Sequence, residues 1–238
     1  MKLSIITATY NCEYNICNLI DSLKSQTDQD FEWVVCDGSS TDNTIGCINA
    51  ASLSFDVKID SRPDFGIYDA LNRGIKLAVG EYYLTLGSDD LLDTNAISNY
   101  KNSIIYSGAD IILAGVTIGT KTHYPKKIRN RYLHQRTFVA GHSVGTLIRR
   151  SLHEEIGYYS RKYPIAADHL FLELALLRGV VFEHGDFIAG KFGDQGVSSK
   201  DKIGALTEAF RIQMSIRGCK LNETIIFIMR LIWNYKTL

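Results

Sequence analysis

The sequence predicts an α/β domain with a central, mostly parallel sheet flanked by helices. Strand-type and helix-type runs alternate through the first hundred residues. Apolar residues make up 45% of the 238 positions and only 3 are proline, which suits one sizeable core rather than a disordered or fibrous chain. The four segments that follow the early strand-type runs are polar, and three are rich in carboxylates. Ligands of open α/β sheets bind at those carboxyl ends.

The elements follow in order. Residues 3–7 are a short apolar strand. Ile16, Leu19, Ile20 and Leu23 then recur at helical spacing. Residues 31–36 and 55–59 are strands rich in aromatic and β-branched side chains, separated by a helix over 43–51. A helix over 67–78 stops before Gly80, and a strand over 82–86 runs into Gly87-Ser88-Asp89-Asp90. A helix over 96–106 and a strand over 111–118 complete this pattern. The second half is less regular: a loop entering a short strand over 142–149, a helix over 167–177, a strand over 180–183, and a Gly/Ser-rich loop over 192–199. Helices over 203–216 and 223–235 end the chain. The expected organisation is one domain over 1–200, in two halves (1–100 and 101–200), followed by a helical extension over 201–238.

The formal net charge is +0, from 26 basic and 26 acidic residues, which argues against nucleic acid as a partner. The charge is unevenly spread. No Asp or Glu lies between Ile111 and His153, a stretch carrying Lys121, Lys126, Lys127, Arg129, Arg131, Arg136, Arg149 and Arg150. The apolar start breaks at Thr7, too early for a signal-peptide core, and no apolar run is long enough to span a bilayer. The five cysteines form no CxxC pair and are expected to be reduced thiols in the cytoplasm. The histidines lack zinc-ligand spacing. No G-x-G-x-x-G, P-loop or G-x-S-x-G motif is present.

The strand ends carry the chemistry. Adjacent carboxylates Asp89 and Asp90 after a buried strand are costly unless neutralised, and a hard divalent cation does so with oxygen ligands. Strand alternation gives them different jobs: Asp90 is assigned to the metal, and Asp89 to the sugar or to support of the metal. The alternative is a helix N-cap. Asp37 is placed to accept hydrogen bonds from a nucleobase or ribose, with Asp42 as a helix cap. After the first strand, Thr7, Thr9, Tyr10 and Asn11 are candidate nucleotide contacts, Tyr10 by stacking on a base or, alternatively, by covering the sheet edge.

The ordered set SIITATYN, VVCDGSSTDNT and DFGIYDALNRGIKLAVGEYYLTLGSDD resembles the inverting glycosyltransferases of family 2, with the GT-A fold. The segments GHSVGTLIRR and IAADHLFLELAL resemble the acceptor half of that family. The resemblance implies nucleotide contacts from Thr7, Tyr10 and Asp37, with Asp69 and Asn72 near the nucleotide and sugar. It implies Mg²⁺ or Mn²⁺ at Ser88-Asp89-Asp90, where Ser88 replaces the first Asp of the family's Asp-x-Asp motif. It implies Asp168 as catalytic base, against the alternatives of a plain helix cap or of Glu173 as base. It also implies a nucleotide-sugar donor, with uridine as the base, and a glycan or lipid-linked acceptor of bacterial surface-polysaccharide type. His142 is a candidate for the acceptor or donor diphosphate, with a structural role as the alternative. A sugar-phosphate nucleotidyltransferase and a non-catalytic binding module are the rival readings.

Two edges remain. The basic segment 121–136 fits a lipid-linked diphosphate or a solvated loop. The run IIFIMRLIW over 225–233 is too short to span a bilayer. It can rest on a membrane surface, pack on the domain, or form a homodimer contact.

Overall fold

The computed structural model describes residues 2–125, 143–193, 195–216 and 220–234. His142, most of the basic segment, Cys219, Tyr235 and Lys236 lie outside the described residues.

The chain alternates β1 (Leu3–Thr9), α1 (Glu13–Lys24), β2 (Phe31–Asp37), α2 (Thr44–Ala50), β3 (Asp56–Ser61), α3 (Ile67–Leu77) and β4 (Tyr82–Leu86). Then come β5 (Leu91–Leu92), α4 (Ala96–Ser107), β6 (Ile111–Ile118), β7 (Lys121–His123), a 3₁₀ turn (Ser143–Gly145) and β8 (Thr146–Arg149). The chain continues through α5 (Leu152–Ile156), α6 (Ala167–Leu177), β9 (Phe182–Phe192), α7 (Val197–Lys200), α8 (Lys202–Ile216) and α9 (Lys220–Asn234).

One sheet runs in the order β3-β2-β1-β4-β8-β6-β9-β5, with β7 paired to β6. The first four strands are parallel, as the alternating pattern predicts. The second half is mixed: β8 is antiparallel to β4 and β6, and β9 is parallel to β6 but antiparallel to β5. β9 is far longer than the predicted strand over 180–183, because pairing along β6 overrides the glycines and charged residues that interrupt its apolar pattern.

Alternation along β1 and β2 splits the core between the two sheet faces. Leu3, Ile5, Trp33 and Val35 pack with Ile16, Leu19 and Leu23 of α1 and with Tyr100 of α4. Ile6, Val34 and Cys36 pack with Leu71 and Ile75 of α3 and with Phe171 and Leu172 of α6. α3 lies close on β1: a Cβ at Gly74 would sit 2.3 Å from the Ile6 side chain. α3 and α6 therefore cover one face, and the loops leaving β1, β2, β3 and β4 form the rim above them.

Candidate active site

The rim over β1–β3 is closed by its own hydrogen bonds. Asp37 is 0% exposed. Its Oδ1 accepts from Thr9 Oγ1 at 2.9 Å and Ser40 Oγ at 2.5 Å, and its Oδ2 accepts from Ser40 N at 2.9 Å and Ser61 Oγ at 2.7 Å. A carboxylate has about four lone-pair sites, so all are in use. Burial pushes the Asp37 pKa up, but these hydrogen bonds outweigh it and hold the group below the ordinary carboxylate range. The loops that follow are held in left-handed backbone, Asn11 at φ 47° and Ser39 at φ 65°. Non-glycine residues in that region carry strain and persist only where contacts enforce it. Here Asn11 Oδ1 accepts from Thr41 N at 2.8 Å, and Asn11 N donates to Ser40 Oγ at 2.9 Å. Asp42 does not cap α2, whose N-cap is Asn43. Instead it accepts from the backbone of Glu13 and Thr44 and joins the starts of α1 and α2.

Several predicted contacts are corrected here. Thr7 does not face a ligand. β1 continues through Thr9, and alternation turns Thr7 into the core, where its Oγ1 accepts from Trp33 Nε1 at 3.0 Å. Asn72 is spent on structure: its Nδ2 donates to Tyr159 O at 2.8 Å and its Oδ1 accepts from Tyr159 N at 2.9 Å. Asp69 is ion-paired with Arg161. The helical period puts Asp69, Asn72, Arg73 and Lys76 on one face of α3, lining a basic hollow of about 350 Å³, while Ile67, Tyr68 and Leu71 face a different cavity. Of the predicted nucleotide residues, Tyr10 stands open at 65% exposure, beside Gly38 and Asp64. Arg73, which sequence reasoning missed, reaches this rim: its Nη2 donates to Asp37 O at 3.3 Å, and its buried Nε has no acceptor among the described residues.

The second cavity, about 280 Å³, brings together Asp89, Asp90 and Asp168, with Tyr68, Tyr159, His169 and Gly193. Asp90 is 1% exposed. Its Oδ2 accepts from Gly87 N at 2.6 Å and its Oδ1 from Gly193 N at 2.8 Å. Burial wins over these bonds and raises its pKa to about 6. Asp90 is thus a buried clasp between two loops, each of its oxygens accepting one backbone hydrogen bond. Asp89 is the more open of the pair. Its Oδ2 accepts from Gln195 N at 2.7 Å, and no hydrogen bond engages its Oδ1 among the described residues. The chain after β9 passes so close that a Cβ at Gly193 would lie 2.2 Å from the Asp89 carboxylate. Among the described residues no three His, Cys, Asp or Glu side chains converge as a metal cage. The donor set is one outward carboxylate, which suits a hard cation that takes its remaining ligands from phosphate oxygens and water.

Asp168 lies in the first turn of α6 but does not cap it; the N-cap is Ala166. Its Oδ1 accepts from Tyr68 Oη at 2.7 Å and His169 N at 2.8 Å. Its Oδ2 makes no hydrogen bond among the described residues. Burial raises the Asp168 pKa, partly opposed by the Tyr68 bond. Tyr68, itself pushed well above its ordinary value by burial and by Asp168, remains a donor. Glu173 is buried one turn on, beside His169, and is absent from the cavity lining.

Sequence reasoning also missed Glu208. From α8 its Oε2 accepts from both Ile165 N and Ala166 N at 2.9 Å, fixing the chain that delivers Asp168. The first helix after residue 200 therefore belongs to this cavity, which Ala205 and Ala209 also line.

Known proteins match both sequence and fold. The chain is 35% identical over 178 residues to a PGL/p-HBAD biosynthesis glycosyltransferase of Mycobacterium tuberculosis, covering 69% of this chain and 66% of that protein. It is 35% identical over 125 residues to the UDP-Glc:alpha-D-GlcNAc-diphosphoundecaprenol beta-1,3-glucosyltransferase WfaP of Escherichia coli, covering 48% of this chain and 50% of that one. In fold it resembles S. aureus TarS in complex with UDP-GlcNAc (TM-score 0.72, 22% identity, 99% of this chain and 73% of that one). It also resembles the Pyrobaculum calidifontis mannosyltransferase PcManGT (TM-score 0.69, 16% identity, 93% and 66%). The Glycosyl transferase family 2 model matches residues 4–168, from the first strand to Asp168 itself, and the chain belongs to that family.

Proposed function

We propose that this chain transfers a sugar from a nucleotide-diphosphate sugar to a hydroxyl of a glycan or lipid-linked acceptor, with inversion at the anomeric carbon. The observation that carries the reading is the shared cavity of Asp89 and Asp168. Among the described residues, each keeps one carboxylate oxygen outside the internal hydrogen-bond network.

The nucleoside would lie over the β1–β3 rim, stacked on Tyr10, with Arg73 Nε as an unused donor. Asp37 would contact the base by exchanging the bond from Ser61, the exposed member of its four partnerships. Thr9 and Asn11 hold this rim in shape. Uridine is the proposed base; the solved neighbour TarS has been seen with UDP-GlcNAc. Asp89 would hold Mg²⁺ or Mn²⁺ together with the donor phosphates, and Asp90 would keep the Gly87 and Gly193 loops closed around it. Such an ion neutralises charge on the departing diphosphate.

Asp168 acts on the acceptor. Tyr68 and His169 N orient its carboxylate, leaving Oδ2 to take the hydroxyl proton as that oxygen attacks C1 from the face opposite the diphosphate. The pKa raised by burial makes it a stronger base than an exposed aspartate. One displacement converts an α-linked donor into a β-linked product.

Thermal unfolding across a panel of nucleotide sugars, with and without Mn²⁺, tests the donor half. A uridine-diphosphate sugar should raise Tm only when the ion is present, because a ligand that binds the folded state stabilises it. Stabilisation by no nucleotide sugar, with or without the ion, would overturn the proposal.

A further inference from the structure

We infer that Tyr68 is a positioning residue that favours the charged form of Asp168, its one hydroxyl proton serving either that carboxylate or the Ile165 carbonyl. Tyr68 is 7% exposed, and its Oη lies 2.7 Å from Asp168 Oδ1 and 2.9 Å from Ile165 O. A phenol has a single proton to donate, and a backbone carbonyl only accepts. The two contacts therefore compete for one proton. An ionised carboxylate is the stronger acceptor, so the hydroxyl points to Asp168 while that group is charged. Once Asp168 carries a proton on Oδ2, its Oδ1 is a neutral carbonyl like that of Ile165. The hydroxyl can then turn to Ile165 O without being left unpaired. Nothing is transferred in this turn: the tyrosine keeps its proton, and only the direction of the bond changes. Burial and the adjacent carboxylate raise the Tyr68 pKa well above its ordinary value, which keeps that proton in place.

The surroundings leave this role to Tyr68. The other titratable groups that face or flank Asp168 are Tyr83 and Tyr159, Glu208 from α8, His169 and Glu173 of its own helix, and Asp89 and Asp90 across the cavity. Glu208 opposes a charge on Asp168, as burial does. Among the described residues Tyr68 is the only side chain that donates to the Asp168 carboxylate; the other donor is the His169 backbone. Ile165 is fixed as the second acceptor, because Glu208 holds the N–H groups of residues 165 and 166.

The inference rests on the proposed transfer only where turnover is measured, so the first test is stability. A bond made to the carboxylate and weakened by its protonation adds stability that grows as the pH rises through the Asp168 titration. The cost of Tyr68→Phe in urea unfolding should therefore be larger at about pH 7 than at about pH 4. In an Asp168→Asn background the cost should be the same at both. The acid limb of kcat should move up in Tyr68→Phe, so that turnover at a fixed pH on that limb falls about ten-fold. A cost that does not vary with pH, or that varies equally in both backgrounds, overturns the inference. A pH-dependent cost with an unmoved acid limb upholds it and removes Asp168 from the role of base. Should Tyr68→Phe unfold, 3-fluorotyrosine at position 68 takes its place. Its more acidic hydroxyl is the better donor, so stability relative to the parent should rise with pH, and no rise overturns the inference.

Discussion

The two acidic centres at the sheet's carboxyl rim are built in opposite ways. Asp37 is saturated by Thr9, Ser40 and Ser61 and is fully buried. The Asp168 pKa is raised by burial, yet among the described residues one of its oxygens makes no hydrogen bond, and the residue lines the cavity it shares with Asp89. The first arrangement holds three strand ends together, and the second, under the proposed function, leaves an oxygen to take a proton. A carboxylate's residue type and position along the chain are thus less telling than the number of its lone pairs already occupied.

The largest stability effect should come from the closed centre. Asp37→Ala removes an ionised acceptor from four donors, three of them buried or half-buried, and about 4 kcal/mol should be lost in urea unfolding. A loss near zero would mean that the rim is held by something else, and the contrast with Asp168 would disappear.

A second effect comes from beneath the open centre. His153 is buried, with Nε2 2.7 Å from Tyr83 Oη and Nδ1 3.0 Å from Gly157 O, and Tyr83 Oη lies 2.8 Å from the Tyr159 hydroxyl. Burial lowers the His153 pKa from 6.5 to about 4. The unfolded chain therefore takes up a proton below its ordinary histidine pKa while the folded one does not. This contribution to stability is intact above pH 6.5 and declines as the pH falls toward about 4, by roughly 3 kcal/mol in all. His153→Gln should flatten that part of the Tm–pH curve; an unchanged slope would place the acid sensitivity elsewhere.

The smallest stability effect separates holding from reacting. Glu208→Ala should cost about 2 kcal/mol, since two buried N–H groups lose their acceptor. It should also lower kcat with little change in donor KM. Both bonds use one oxygen, Oε2, so Glu208→Gln should restore kcat. Failure of glutamine to rescue would show that the charge, and not the acceptor, is what matters.

Much of this was legible in the chain. The alternating pattern gives the parallel half of the sheet, the polar strand ends point to Tyr10, Asp37 and Asp89, and Asp168 came only through the family resemblance. The misses have local causes. Thr7 was misplaced because β1 runs two residues further than its apolar run, and Asn72 because backbone amides, invisible in sequence, consume its side chain. Asp89 and Asp90 could be told apart by alternation, but which of them turns outward depended on the return of the chain at Gly193. Glu208 was out of reach altogether, because its partners at 165–166 belong to another element.

The decisive experiment is transfer by Asp168→Asn under saturating donor, with donor affinity measured in parallel. Asparagine can still accept from Tyr68 but cannot take the proton, so donor affinity and Tm should match the parent while turnover falls about 10²–10⁴-fold. Turnover close to the parent's would show that Asp168 is not the base.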